Sequence, residues 1–283
     1  MRDLAVQVAP GDPAAWFDAV AFLRDSASGA AAWPRSDGKG ITIGLADTLL
    51  EEGDPDLSGA SLTVRDFTGE SRDPASARAK GHATDSALLL VGQGRSRVRG
   101  IVPGARLAVA SVIGRDAVAS PARLAAALDW LVAVGAQVVV LPLGDSRARP
   151  SIAHRINRAT RRGVVFFAAT GNAHPAPLAF PARHRRVISV AGVDDDGNVL
   201  LECCRRPRVD LLAPGVVRLP GEGGLRRGSS VAAVLAAGVA ASLLGVSAVS
   251  IAPPRVLRSR LVSALRQVFL CRSNPSERAR EAS

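Results

Sequence analysis

The chain contains no tyrosine, one methionine and three cysteines, and aromatic residues fill only 4% of its 283 positions. Stacking platforms for nucleic-acid bases are correspondingly scarce. Three cysteines do not make a disulfide framework. Cys203 and Cys204 are adjacent and poorly placed to bond one another, and Cys271 stands alone further on. No second cysteine pair or histidine cluster accompanies them, which argues against a zinc site. Lysine occurs only at Lys39 and Lys80, so arginine carries the net charge of +11. The arginines are scattered, with short pairs such as Arg161-Arg162, Arg185-Arg186, Arg205-Arg206 and Arg226-Arg227. That pattern reads as a solvated surface, and no nucleic-acid partner is expected. Before Asp12 and Asp18 there is no apolar stretch of signal-peptide length, so the expected compartment is the cytoplasm.

Hydrophobic residues make up 47% of the chain, which excludes a disordered protein and permits a sizeable core. Residues 231–249 form an uncharged, alanine- and valine-rich run about as long as a membrane span. It is interrupted by Gly238, Ser242, Gly245 and Ser247. A helix apolar on all sides also suits the middle of a large core, and that reading is preferred. A short helix is expected around Trp16–Leu23. From Gly40 onward, strands are expected at Ile41–Ala46, Arg106–Ile113, Val138–Leu141, Val164–Ala168, Val187–Val193 and Val209–Leu212. Helices are expected at Thr84–Val91, Pro121–Val134, Ser151–Arg162 (with Ser151 as N-cap and Gly163 as stop) and 231–245. Strands alternating with helices imply an α/β fold: a three-layer, doubly wound, mostly parallel sheet with helices on both faces. The expected organisation is an N-terminal extension over 1–33, one domain over 34–250 and a basic C-terminal tail over 251–283.

Sites in such sheets lie just beyond the carboxyl ends of strands, and Asp47 and Asn172 fall there. Asp47 closes an apolar strand, and a carboxylate so placed can orient a histidine and stabilise its cation. Of the four histidines, His154 sits off the apolar face of its helix, and His174 and His184 belong to a loop. His82 differs because it opens a helix. Asn172 follows a strand and a glycine, where its NH₂ could serve as a donor to a developing oxyanion. Ser230 starts a helix, where capping is the commoner role and Ser229 could fill it equally well. A serine hydroxyl becomes nucleophilic only when a neighbouring base takes its proton, so Ser230 needs His82.

The frames around these residues narrow the choice. Gly81-His-Ala-Thr-Asp-Ser-Ala87 resembles the Gly-His-Gly-Thr-His-Val-Ala of the subtilisin-like serine peptidases. Gly228-Ser-Ser-Val-Ala-Ala-Val-Leu-Ala-Ala-Gly238 resembles their Gly-Thr-Ser-Met-Ala-Thr-Pro-His-Val-Ala-Gly. Ala168-Ala-Thr-Gly-Asn172 is similar to Ala-Ala-Ala-Gly-Asn, and Asp54-Pro-Asp-Leu57 to the segment trailing the family's catalytic aspartate. Phe180-Pro-Ala182, Val187–Asp194 and Asp210-Leu-Leu-Ala-Pro-Gly215 extend the likeness. The order aspartate, histidine, serine is that of subtilisin. Departures stand at Leu49, Ala83, Asp85 and Val234.

The resemblance implies a hydrolase, a serine endopeptidase acting on polypeptides through Asp47, His82 and Ser230, with Asn172 at the oxyanion. It implies that Leu143 and Gly144, in Leu141-Pro-Leu-Gly144, pair with bound peptide; Pro142 removes one N–H from that edge. Many relatives hold calcium in a loop after the histidine helix. The corresponding Gly92–Gly100 is rich in arginine and lacks carboxylates, so no metal is expected there, nor any cofactor. The alternative, prompted by the departures, is a catalytically impaired pseudopeptidase that grips peptides.

Overall fold

Strands covered on both faces are apolar at nearly every position, and the central strands here have that character. The structure is a computed structural model and describes residues 17–26, 36–69, 81–114, 117–220, 224–246 and 253–269. In chain order the elements are β1 (Phe17–Asp18), α1 (Ala19–Ser26), β2 (Thr42–Asp47), β3 (Ser61–Asp66), α2 (Gly81–Val91), β4 (Val98–Arg99), β5 (Arg106–Ser111), α3 (Pro121–Ala133), β6 (Val138–Leu141) and α4 (Pro150–Arg161). They continue with β7 (Val165–Ala169), β8 (Val187–Val193), β9 (Leu211–Pro214), the hairpin strands β10 (Val216–Val217-Arg218) and β11 (Leu225–Arg227), α5 (Ser229–Leu244) and α6 (Pro254–Phe269). Seven strands form one sheet in the order β3-β5-β2-β6-β7-β8-β9, and every neighbouring pair is parallel. This is the α/β layering expected from the alternation of elements.

Side chains alternate between two cores. Ile43, Leu45, Leu107, Val109, Val138, Val140, Phe167 and Val190 join α2, α5 and α6 on one face. Ala46, Ala108, Ala110, Val139, Leu141 and Phe166 join α3 and α4 on the other. Asp47 continues the Ile43, Leu45 series, so its side chain emerges on the α2/α5 face. Of the apolar run read as a core helix, the part within α5 is buried along nearly its whole length; residues 247–249 lie outside the described residues. Among the described residues no helix is long and apolar enough to cross a membrane.

Several elements differ from the sequence reading. The N-terminal helix is Ala19–Ser26, and β1 pairs with β4 ahead of it; Trp16 lies outside the described residues. Ala19 and Leu23 are buried in the main core. In α4 the N-cap is Arg149, which makes no side-chain capping bond, and Ser151 lies within the helix. Pro150 there takes the first-turn position where a missing N–H costs nothing. Of the span read as a tail, Pro254–Phe269 is a helix that buries Leu257, Leu261, Val262, Leu265 and Val268.

Candidate active site

The end of β2 and the start of α2 are stitched together by short polar contacts. Ala83 N–H donates to Thr48 Oγ1 at 3.0 Å, and Glu51 N–H donates to Thr84 Oγ1 at 3.0 Å. The first occupies an orphan donor at the helix start, and the two together hold His82 against Asp47. The imidazole Nδ1 lies 2.8 Å from Asp47 Oδ1 and 2.9 Å from Oδ2. The carboxylate also accepts from Thr48 N–H at 2.7 Å and from Ser86 Oγ at 3.1 Å. Asp47 is 1% exposed, whereas 43% of the His82 side chain is open to solvent. With Nδ1 engaged as donor, Nε2 is left as the acceptor.

Burial pushes the His82 pKa down, but the hydrogen bond to Asp47 and the charges of Asp47 and Asp85 push it up. Arg226 opposes them, and the net result lies above the ordinary 6.5. A carboxylate held beside an imidazole favours its cation.

The helix α5 begins at Ser229, with Gly228 as N-cap at φ 130°. A Cβ at Gly228 would stand 2.6 Å from Asn172 Nδ2, so both the backbone angle and the space require glycine. Ser229 is not a cap. Its N–H and its hydroxyl both donate to Asn172 Oδ1, at 3.0 and 2.9 Å, and its Oγ accepts from Gly171 N–H at 3.1 Å. With Oδ1 saturated in this way, the amide orientation is fixed and Nδ2 is turned to the opposite side. Cys203 packs here as well, its thiol 3.7 Å from Asn172 Oδ1. Burial outweighs the Gly192 N–H that it accepts and the charge of Arg205, and raises its pKa, so it stands as a thiol. Ser230 occupies the second position of α5, half-buried. N–H groups in a first helical turn have no partner within the helix, which leaves the Ser230 N–H available as a donor.

The structure therefore joins Asp47 to His82 and Asn172 to the residue before Ser230. Among the described residues no hydrogen bond links Ser230 Oγ to His82. Free enzymes often show such contacts long and close them only on substrate. Leu143 is half-buried and Gly144 exposed, just past the carboxyl end of β6. A Cβ at Gly144 would lie 2.5 Å from Ala179 Cβ. His154 is exposed. His184 lies against Phe180 and Arg186, apart from this cluster.

The loop at Gly92–Gly100 has an unforeseen partner. Asp56 is fully buried and accepts from the N–H groups of Ser96, Arg97 and Val98 at 2.6, 2.8 and 2.9 Å. The carboxylate facing the loop is thus spent on main-chain donors. Among the described residues no three His, Cys, Asp or Glu side chains group as metal ligands.

Sequence reasoning did not assign Ser229, Cys203 or Asp56 to these contacts, because each is made by chain segments far apart in sequence.

A parallel seven-stranded sheet carrying an Asp–His pair at the end of β2 defines a subtilisin-like fold. Solved structures agree. The protease domain of PatA superimposes with a TM-score of 0.71 at 23% identity, covering 85% of this chain and 97% of that one. A cold adapted subtilisin-like serine proteinase gives a TM-score of 0.66 at 24% identity, covering 80% and 82%. The subtilase family model matches residues 38–277, and the chain belongs to that family. Among curated relatives, Subtilisin BL of Lederbergia lenta is 30% identical over 183 residues, covering 63% of this chain and 65% of that protein. Thermitase of Thermoactinomyces vulgaris is 25% identical over 206 residues, 73% of each. The chain spans just under two thirds of the former.

Proposed function

We propose that the protein is a serine endopeptidase that hydrolyses peptide bonds through an acyl-enzyme. In this reading His82 Nε2 takes the proton of Ser230 as its oxygen attacks the substrate carbonyl, while Asp47 stabilises the imidazolium. The oxyanion is held by Asn172 Nδ2 and the Ser230 N–H. The protonated His82 then gives its proton to the leaving amine, and water releases the acyl group. An extended substrate lies along Leu143 and Gly144, where main-chain pairing supplies affinity with little dependence on side chains.

The observation that carries the reading is the Nδ1 contact between His82 and the buried Asp47 at 2.8 Å, together with membership of the subtilase family. The test is labelling of the intact chain by a fluorophosphonate probe, compared with Ser230→Ala and paired with turnover of an unfolded protein. Labelling of the parent and none of the variant is expected; equal labelling removes the mechanism. The unmade Ser230–His82 hydrogen bond favours one rival, a peptide-gripping pseudopeptidase. That rival gains if the chain binds unfolded polypeptide without cleaving it and without taking up the probe.

A further inference from the structure

Asp85 lies three residues beyond His82 on α2, where the resembling motif carries a second histidine. On an α-helix that spacing places both side chains on one face. Its carboxylate grips Arg226 of β11 with both oxygens: Arg226 Nε donates to Oδ2, and Nη2 donates to Oδ1 at 3.2 Å. The two side chains are 18% and 32% exposed. A forked arginine–carboxylate contact is the most directional ion pair available to a protein. This one bridges segments 141 residues apart. One of its ends is on the helix of His82, and the other lies four residues before Ser230.

Three charged groups act on the imidazole: Asp47 from β2, Asp85 from its own helix and Arg226 from β11. Asp47 is in direct contact through Nδ1. A second unpaired carboxylate nearby would hold the imidazole as its cation, which cannot accept the serine proton. Arg226 answers that charge and at the same time ties β11 to α2. We infer that Asp85 and Arg226 are positioning residues: their forked pair fixes how the segment carrying Ser230 meets the helix carrying His82, and it neutralises the second carboxylate beside the imidazole. The inference rests on the peptidase reading for its kinetic consequence but not for its electrostatic one. Asp85 and Arg226 act on His82 in opposite senses, the first raising its pKa and the second lowering it.

The experiment reads the two parts separately. In the Ser230→Ala protein, His82 is titrated by NMR, its resonances assigned against His82→Gln. Arg226→Gln is expected to move the midpoint up and Asp85→Asn to move it down, with the double variant returning towards the parent. In the active chain, the acid limb of kcat/KM should follow the same two directions, and kcat should fall by up to about 10²-fold, as misplaced catalytic groups do. Arg226→Lys keeps the charge without the fork, so it should leave the midpoint in place and still lower kcat; it also serves if the neutral variant does not fold. Midpoints of Arg226→Gln and Asp85→Asn that stay fixed, or that move in the same direction, overturn the inference. So does Arg226→Lys with the parent's kcat. Failure of the parent to take a fluorophosphonate probe removes the peptidase reading instead, and the titration still decides the electrostatic claim.

Discussion

His82 must be neutral to accept a proton, and its neighbours decide the pH at which it becomes so. Burial lowers its pKa, the bond to Asp47 and the charges of Asp47 and Asp85 raise it, and the outcome is above 6.5. On the peptidase reading, activity therefore climbs with pH through a midpoint above 6.5. A kcat/KM profile with its acid limb below that value contradicts this order of effects. The same shift acts on stability with the opposite slope. The folded pKa exceeds the unfolded one, so the contribution of His82 is fully present below about pH 6.5 and is lost as pH rises through the folded value. Urea unfolding of the Ser230→Ala protein across this range, compared with His82→Gln, should show that loss only where the histidine is retained. Ser229 offers a second check. Removing its hydroxyl with Ser229→Ala deletes one of three donors to Asn172 Oδ1 and leaves the Ser229 N–H and the Cys203 thiol. A neutral hydrogen bond is worth about 1 kcal/mol, so kcat should drop roughly fivefold with KM unmoved. Asp47 and His82 were legible because each sits inside a short frame that marks an element's end. The partners of Ser229 and Cys203 were not, since their bonds reach across 57 and 31 residues.

At the scale of elements, the central strands and helices were readable because their apolar character is unbroken. The edge formed by β3 was not. β3 reads Ser-Leu-Thr-Val-Arg-Asp, with only every second position even half-buried, a pattern that one-sided edge strands share with loops. The hairpin of β10 and β11 is short and was passed over for the same reason. The loop at Gly92–Gly100 shows how a local deficit can be met from elsewhere. It has no carboxylate of its own, and Asp56 reaches in to satisfy three of its N–H groups. Asp56→Ala strands those donors inside the protein, at about 1–3 kcal/mol for a buried unsatisfied group. The variant should lose at least that much stability in urea, while a chelator leaves the melting temperature of the parent unchanged. A chelator-sensitive parent would show that this loop needs a cation beyond Asp56.

Across the whole molecule, the order in which strands lie side by side was beyond the sequence reading, because parallel neighbours are set by crossovers and not by local pattern. The scattered arginines resolve into separate surface pairs: Arg149 with Asp145, Arg155 and Arg158 with Asp129, and Arg227 with Glu202. Such pairs contribute little each, so the stability of the fold lies in its two cores. Here α6 changes the account of the chain. It falls in the span expected to be a basic tail, yet its arginines are spaced around an apolar stripe. Arg258 reaches Val187 O at 3.1 Å and Asp210 Oδ2 at 2.7 Å, and Arg266 reaches Asp210 O at 3.0 Å. Leu261 and Leu265 are fully buried in the same core as α2 and α5. Emptying such a site costs about 2–5 kcal/mol, a large share of the 5–15 kcal/mol by which domains are stable. Leu261→Ala and Leu265→Ala should each move the urea midpoint down by that amount with the m-value unchanged. Exposed Arg260 on the same helix should tolerate alanine within about 0.5 kcal/mol. Leucine variants as stable as the parent would return residues 254–269 to the status of an appendage.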